Sequence, residues 1–365
     1  MANVNNGPAP RPRFNFMWFW AMVAIGIVLY AMFSDSDSQP IKGDWQMVEE
    51  LVEGGSVERI EGSTFHDCFA LQEISLPSTV KYVGRSAFCA CRALDSIALP
   101  DSLTMIDNEA FYGCSILRSF VLPELLDTIG DKAFYDCQGL TQVVFNEGLQ
   151  YIGNSVFQNC SSLTNVVLPP TLEALGSSAF EGCSNLTTVQ LPASMSSIGS
   201  RTFASLKKLV SVTCVGDKKE ITELGTMGVR AFYDCYGLKE LQIPEGIRAI
   251  GSQAVGFNFD LTTISLPTTL DSIGANAING CRSLKSITIP AAVKHIGENA
   301  LQDCGALQVV QMLPATPPTM IGSAISSSAT IEVPCGTKEA YISNDAWSSY
   351  TDKLVEKSLS NYRVL

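Results

Sequence analysis

The sequence predicts a parallel β-solenoid built from 23-residue repeats and preceded by one transmembrane helix. Two observations carry this prediction. Cysteines recur every 23 residues through the first half of the chain, and an apolar segment without a charge covers residues 14–33. Self-similarity with a period of 20–50 residues is the signature of stacked repeats. It therefore outweighs the two-domain organisation that a length of 365 residues would otherwise suggest.

Composition and charge exclude several classes of protein. Hydrophobic residues make up 46% of the chain and charged residues 16%, which is too apolar for a disordered protein. The formal net charge of −12 gives no field that would concentrate nucleic acid, so we expect no nucleic-acid partner. The chain has only two histidines, which removes most zinc sites and Ser-His-Asp triads.

Residues 14–33 form the predicted transmembrane anchor. Twenty residues at ~1.5 Å per residue span ~30 Å, the thickness of a bilayer's hydrocarbon core. Two arginines precede the segment and two aspartates follow it. The positive-inside rule then predicts a cytoplasmic tail over residues 1–13 and export of the rest. A cleaved signal peptide is the alternative, but its apolar region is usually shorter, and Ala31-Met32-Phe33 is a poor cleavage site.

The repeats cover residues 57–313, about eleven coils. Nine cysteines share one repeat position: Cys68, Cys91, Cys114, Cys137, Cys160, Cys183, Cys235, Cys281 and Cys304. Leu206 and Asn258 occupy that position in the two remaining coils, and six extra residues fall near 216–228. A single repeat cannot bury its own apolar side chains, so neighbouring coils must cover them.

Each repeat reads as a strand, a turn and a corner. Aliphatic residues three, six and eight positions after the cysteine precede a proline, as at Leu163, Val166, Leu168 and Pro169. The last two aliphatics lie on the same side of a strand, and the proline ends it. An Ile-Gly pair predicts a backbone turn, and an Ala-Phe pair predicts a short helical turn or tight corner that packs inward.

The pattern LxxIxLPxxLxxIGxxAFxxC resembles the BspA-like (treponemal-type) leucine-rich repeats of bacterial surface proteins. This resemblance implies a leucine-rich-repeat solenoid, with a parallel β-sheet on one face and short turns or helices on the other. It also implies adhesion to, or recognition of, a protein ligand from a host or from the cell envelope. Residues 314–365 resemble the C-terminal cap of that family, which would cover the last strand edge.

A second resemblance covers residues 11–61, which look like the anchor and first exported residues of FtsH-type membrane proteases. Within it, residues 34–56 are predicted to form a linker and an N-terminal capping helix over 45–53, ended by two glycines. The protease motifs H-E-x-x-H and G-x-x-x-x-G-K-[ST] are absent from the sequence. The resemblance therefore suggests, as an alternative function, a periplasmic adaptor or partner of such a protease.

The cysteines and histidines do not predict an enzyme, a metal site or a cofactor. Cysteines at one repeat position form a ladder, and we interpret them as buried thiols; disulfides and metal binding are the weaker alternatives. His66 and His295 stand about ten coils apart, so they cannot share a site, and His66 near Cys68 is interpreted as a surface histidine. We predict no catalytic, cofactor-binding or metal-binding residue.

The predicted binding surface lies on the outer face of the strands. Residues four, five and seven positions after the cysteine should point outward. Position seven carries an apolar stripe with a polar border, and we name as candidate binding residues Ala98, Val121, Val144, Val167, Gln142, Asn165 and Thr188. Exposed apolar patches can mark interaction sites. The alternative is that any sheet favours β-branched residues. Similarly, the charged insertion at 217–220 reads as a solvated loop or as a partner contact.

The anchor limits where this surface can act. An N-terminal anchor in the inner membrane of a two-membrane envelope would leave the repeats in the periplasm. In a single-membrane envelope the same anchor would leave them at the cell surface. We therefore predict a single-pass membrane protein with a cytoplasmic N-terminus and a periplasmic or extracellular repeat domain.

Overall fold

A computed structural model describes residues 57–193, 195–216, 225–326 and 328–358. These residues form a continuous stack of coils in which each turn of the chain lies parallel to the next. The predicted cytoplasmic tail (1–13), transmembrane anchor (14–33) and linker with capping helix (34–56) lie outside the described residues. Among the helices that are described, none is long and apolar enough to cross a bilayer.

Two rows of parallel strands run along the solenoid, and strands are numbered in chain order. The first, which we call the strand row, contains β2 (Glu73–Ser75), β4 (Ser96–Ala98), β6 (Ser119–Val121), β8 (Gln142–Val144), β10 (Asn165–Val167), β12 (Thr188–Pro192), β14 (Ser211–Val215), β16 (Glu240–Gln242), β18 (Thr263–Ser265), β20 (Ser286–Ile289), β22 (Val309–Met312), β24 (Thr330–Pro334) and β25 (Leu354–Lys357). From β2 to β22, each strand of this row lies at the position that the 23-residue repeat predicts for a strand.

The second row forms one continuous twelve-stranded sheet of very short strands. It contains β1 (Arg59–Ile60), β3 (Tyr82–Val83), β5 (Met105–Ile106), β7 (Thr128–Ile129), β9 (Tyr151–Ile152), β11 (Ala174–Leu175), β13 (Ser197–Ile198), β15 (Gly225–Met227), β17 (Ile247–Ile250), β19 (Ser272–Ile273), β21 (His295–Ile296) and β23 (Thr319–Met320). The Ile-Gly pairs therefore end short strands, where the sequence interpretation predicts only a turn.

The solenoid has about thirteen coils. Eleven strands of the strand row precede residue 314, and β24 and β25 continue the same parallel stacking beyond it. The prediction of about eleven coils for residues 57–313 therefore leaves out two strands that lie in the segment predicted as the C-terminal cap. The reason is that the last two strands lack the repeated cysteine, so the 23-residue phase does not reveal them.

The core is filled from the strand row by the phased aliphatic residues. Leu163, three residues after its cysteine, and Val166, six residues after it, are 0% and 2% exposed. The strands alternate exposed, buried, exposed, as expected for side chains that point to opposite faces of a sheet. The predicted inward positions are therefore confirmed.

A ladder of stacked phenylalanines fills the opposite side of the core. Successive rings lie 4.8–5.5 Å apart between centroids and within 17° of parallel. Its members are Phe65, Phe88, Phe111, Phe134, Phe157, Phe180, Phe203 and Phe232. The spacing follows the coil repeat, because one ring comes from each coil. Val255, Ile278 and Leu301 take the same place in the later coils.

The third side of each coil is made of turns bonded to the next coil. In the coil of Phe88, Ser86 and Ala90 adopt left-handed backbone conformations, with φ of 54° and 58°. In this segment every second backbone N–H points toward the following coil. Ser86 N donates to Asn108 O at 3.0 Å, and Phe88 N donates to Ala110 O at 2.7 Å. The sequence predicts either a short helical turn or a tight corner at this place. The structure shows the tight corner, because the described residues between 57 and 337 contain no helix on this side.

The repeated glycine is required by close approach of neighbouring coils. A Cβ on Gly199 would lie 2.4 Å from the backbone carbon of Gly176 in the preceding coil. Gly199 has no left-handed φ. From the sequence, the glycine is expected to permit a backbone turn that a residue with a Cβ would not adopt. The structure gives a different reason, since the backbones of adjacent coils leave no room for a side chain.

The repeated cysteines form a ladder of buried thiols with a defined hydrogen bond. From Cys91 onward, each Sγ donates to a backbone carbonyl of the preceding coil at 3.0–3.4 Å, as Cys160 does to Phe134. All the cysteines of the described residues are free, and those of the ladder are buried except Cys68, which is half-buried. Burial raises the pKa of the Cys91, Cys183 and Cys235 thiols to about 12.

The C-terminal segment closes the core with aromatic side chains. It contains a short helix, α1 (Lys338–Ile342), and a 3₁₀ helix over Asp345–Lys353 between β24 and β25. Trp347 is fully buried and donates from Nε1 to Pro318 O at 2.8 Å. Tyr341 is also buried and donates to Pro314 O at 2.7 Å. These two bonds pin the segment onto the last repeats.

Candidate binding surface

The seven predicted binding residues all lie exposed on the strand row. In β8 and β10 the middle residue is buried and the two flanking residues face outward. Gln142 and Val144 are the outward residues of β8, and Asn165 and Val167 those of β10. Ala98, Val121 and Thr188 occupy equivalent outward positions in β4, β6 and β12. The solenoid thus collects side chains from five coils on one face.

The register of the strands sets the order of side chains along this face. Val121 stands opposite Val144, Asn165 opposite Thr188, and Val167 opposite Gln190. Neighbouring strands lie ~4.8 Å apart, so equivalent side chains touch along the row. The apolar stripe therefore runs continuously through four coils and ends where Gln190 replaces valine.

The valines of the stripe are far more exposed than the residues of the core. Val121, Val144 and Val167 are 65%, 43% and 54% exposed. Beneath them, Phe120 is buried and stacks on Phe134 with ring centroids 4.4 Å apart. The stripe thus lies on a tightly packed base, so its shape is set before any partner binds.

Hydrogen bonding between strands is interrupted within the stripe. Strands β4 and β6 are in contact but belong to separate sheets, and the same is true of β8 and β10. The stripe therefore crosses three sheet pieces, and its last strand, β10, begins the uninterrupted sheet that continues to β18.

Two further apolar residues in the coil of Val121 were not predicted. Ile116 is 45% exposed and Leu125 is 61% exposed. At the position of Leu125, other coils carry a hydroxyl that donates to the preceding coil, as Ser102 does to Val80 O at 2.7 Å and Thr171 to Leu149 O at 2.9 Å. The sequence contains this signal: a leucine replaces a serine or threonine at a phased position outside the core.

The histidines and the half-buried cysteine do not form a nucleophilic pair. The Nδ1 atom of His66 lies 3.0 Å from the Asp67 carboxylate. Burial, and then the charge of Asp67, raise the pKa of the Cys68 thiol. A nucleophilic thiol requires a lowered pKa, so this environment opposes activation. His295 lies at the far end of the solenoid, where Nδ1 is 2.7 Å from Thr319 Oγ1.

No metal-binding cluster of three or more His, Cys, Asp or Glu side chains occurs in the part of the chain that the structure describes. The charged residues predicted at 217–220 in the insertion lie outside that part. On the C-terminal side of the predicted insertion near 216–228, the register of β15 against β17 shifts between Gly225 and Thr226.

The fold and its outward strand row define the chain as a leucine-rich-repeat solenoid. A family model described as the BspA type leucine-rich repeat region matches residues 47–163, 127–226 and 222–332. The chain belongs to this family, and the resemblance found in the sequence is confirmed. The second resemblance, of residues 11–61 to an FtsH-type anchor, finds no support in the comparisons.

This chain is similar to several solved structures of bacterial repeat proteins. A leucine-rich repeat protein from Bacteroides ovatus is 24% identical over 83% of this chain and 88% of its own, with a TM-score of 0.47. The pneumococcal vaccine antigen PcpA is 19% identical over 79% and 78%, with a TM-score of 0.42. A leucine-rich cell surface protein from Faecalibacterium prausnitzii is 22% identical over 80% and 88%, with a TM-score of 0.35. No match was found among curated proteins.

Proposed function

We propose that this protein binds a protein ligand non-covalently, through the apolar stripe and polar border of its strand row, and that it acts without catalysis. The observation that carries this proposal is the stripe itself: three adjacent valines more than two-fifths exposed on a rigid base. Membership of the leucine-rich-repeat family supports it, because such solenoids bind through long outward faces.

The composition of the stripe fits a protein partner. An exposed apolar strip bordered by hydroxyl and amide groups matches the apolar centre and polar rim of protein interfaces. Gln142, Asn165 and Thr188 supply that border beside Val144 and Val167. Flat valine side chains offer apolar contact area, while the border groups set the orientation of the partner.

We further propose that the solenoid is held at a membrane by residues 14–33 and recognises a ligand outside the cytoplasm. The adaptor hypothesis rests on residues 11–61 alone, and the comparisons give that resemblance no support. Recognition through the solenoid, as in surface adhesion, is therefore the function that we propose. Treatment of intact cells with an impermeant amine reagent tests the location, since the exposed Lys285 reacts only if the repeats face the medium.

Site-specific photocrosslinking tests the binding surface. A photoreactive phenylalanine replaces Val144 in the full-length chain, and the cells are irradiated. We expect one predominant adduct with a partner protein, and we expect a second substitution, Val167→Glu, to remove it, because a buried carboxylate at an apolar interface is costly.

Met105 provides the matched control position. It is apolar and 37% exposed, but it lies in β5 on the second sheet. The same photoreactive residue there should give no equivalent adduct. An adduct of equal yield at both positions, or no adduct at Val144, would contradict the proposal.

A further inference from the structure

A second surface feature lies in the later coils, directly after the repeated cysteine position. In four consecutive coils this position carries Lys207, Tyr236, Phe259 and Arg282. The Tyr236 and Phe259 rings stack in parallel, with centroids 5.0 Å apart and planes within 3°. The Arg282 guanidinium lies 4.6 Å from the centroid of Phe259, and Lys207 Nζ lies 5.9 Å from that of Tyr236. The four side chains thus form one stack that begins and ends with a cation.

Three more exposed lysines surround this stack. Lys208 follows Lys207, while Lys239 and Lys285 come just before β16 and β20. Against these five cations, the same coils carry three carboxylates in this part of the surface, Asp234, Glu240 and Asp260, and Asp234 interacts with the Tyr236 hydroxyl. The result is a positive surface on a chain whose overall formal charge is −12.

These five cations have no carboxylate partner among the described residues. Several other cations of the described chain pair with a carboxylate of a neighbouring coil, as Lys81 does with Glu58 at 2.9 Å and Arg248 with Asp271 at 2.7 Å. Such pairing holds charge within the solenoid. Its absence from this cluster leaves positive charge available to an external anion.

We propose that this basic aromatic surface, formed by Lys207, Lys208, Tyr236, Lys239, Phe259, Arg282 and Lys285, binds an extended acidic segment of a protein. Coils are ~4.8 Å apart, so Lys239 and Lys285, two coils apart, repeat at ~10 Å. In the extended polyproline II conformation, which has three residues per turn and a rise of ~3.1 Å per residue, every third side chain lies on the same side of the peptide and repeats at ~9 Å. A segment lying along the solenoid axis can therefore place a carboxylate at each of the two lysines.

The arrangement of the rings favours a peptide over a sugar. One face of each ring is covered by the other ring, and the outer faces of Phe259 and Tyr236 lie next to Arg282 and Lys207, so little ring face is open for a sugar to stack on. The ring edges remain accessible, since Tyr236 is 38% exposed. Aromatic edges carry partial positive charge and so add to the attraction for carboxylates. Val210, 42% exposed in the coil of Lys207, offers an apolar contact beside them.

This inference goes beyond the proposed function, because it concerns coils that do not contribute to the apolar stripe. The surface spans the coils of Leu206 to Cys281, whereas the stripe spans those of Cys91 to Cys160. The two surfaces can therefore be tested separately.

Fluorescence anisotropy with the full-length chain tests the proposal. The probe is a fluorescein-labelled (Glu-Ser-Leu)₄ peptide, and (Gln-Ser-Leu)₄ is the neutral control peptide. We expect the acidic peptide alone to bind, with an affinity that falls as salt rises. Lys239→Gln with Lys285→Gln should weaken binding at least about tenfold, and Tyr236→Ser, which keeps the charge but breaks the stack, should weaken it severalfold.

A second pair of substitutions removes the same charge elsewhere. Lys132 and Lys294 are exposed and lie on other sides of the solenoid. Lys132→Gln with Lys294→Gln should change binding less than about twofold. Equal weakening by the two pairs, or equal binding of the neutral peptide, would overturn the proposal. It would also be overturned if dextran sulfate bound through Lys239 and Lys285 while the acidic peptide did not.

Discussion

The side-chain amide of Asn258 donates to Phe232 O at 2.9 Å, which is the bond that a cysteine thiol makes in the neighbouring coils. Asn258 is fully buried, and it also accepts a bond from Cys235 N at 3.0 Å and donates to Val255 O at 2.7 Å. The repeated position therefore favours a small hydrogen-bond donor that faces the preceding coil. Where Leu206 occupies it, the side chain fills the space but supplies no donor.

Substitution of Asn258 tests this requirement. Asn258→Ala should lower the free energy of unfolding by about 2–4 kcal/mol, because buried polar groups lose their partners. Asn258→Cys restores the side chain of the other coils and should cost about 1 kcal/mol or less. Urea denaturation followed by circular dichroism measures both. Equal losses for the two variants would mean that the donor does not matter.

Truncation of an inward leucine tests the core assignment. Leu163→Ala should cost about 2–5 kcal/mol, since the side chain is fully buried and its loss leaves a cavity. Thr164→Ala, at the adjacent exposed position, should cost less than about 0.5 kcal/mol. The same denaturation measurement compares them, and a loss below about 1 kcal/mol at Leu163 would contradict its place in the core.

A methyl group at the glycine position tests the contact between coils. Gly199→Ala should cost about 1–3 kcal/mol or more, because its Cβ would overlap the backbone of Gly176. Gly305→Ala is the control, since a Cβ on Gly305 would meet no other atom within 4 Å. Thermal unfolding of the two variants should differ clearly; similar melting temperatures would show that the coils can separate at little cost.

Thiol accessibility distinguishes the ladder from surface cysteines. Cys335 is exposed, whereas Cys114, Cys137 and Cys160 are buried and burial raises their pKa. A thiol reagent at about pH 7.5 should therefore modify Cys335 rapidly in the folded protein, and all twelve cysteines only after denaturation. The Cys335→Ser variant should lack the rapid phase, and rapid modification of the buried thiols would refute the ladder.

Alkaline pH should destabilise the protein through the same thiols. The pKa of Cys183 is raised to about 12 in the fold, above the ordinary thiol value of about 8.5. The contribution of this thiol to the free energy of unfolding is complete below about pH 8.5. It is lost as the pH rises toward 12, because the thiol loses its proton at a lower pH in the unfolded chain than in the folded one. The slope is about 1.4 kcal/mol per pH unit for each such thiol.

Denaturation midpoints at pH 8, 9 and 10 under reducing conditions measure this loss. In Cys183→Ser the non-titrating hydroxyl removes one thiol, so the decline above pH 9 should be shallower than in the unsubstituted chain. Identical slopes would show that Cys183 does not titrate between the folded and unfolded states in this way.

The amino-acid sequence by itself determined the coil and its contents. A period of 23 residues, seen at Cys91, Leu163 or Pro169, specifies which side chains are buried and which strand residues face outward, since each coil can hide them only against its neighbours. The outward position of Val121, Val144 and Val167 followed from strand alternation alone. Membership of the leucine-rich-repeat family could be recognised from the same phased positions.

Only the tertiary structure decided how the coils meet. The steric need for Gly199, the thiol bond to the preceding carbonyl and the two additional strands after residue 313 depend on distances between coils, which a one-dimensional pattern does not contain. The stack of Tyr236 and Phe259 between two cations arose in the same way. Those residues are 23 positions apart in the chain, and they become neighbours because one turn of the solenoid returns the backbone to the same place.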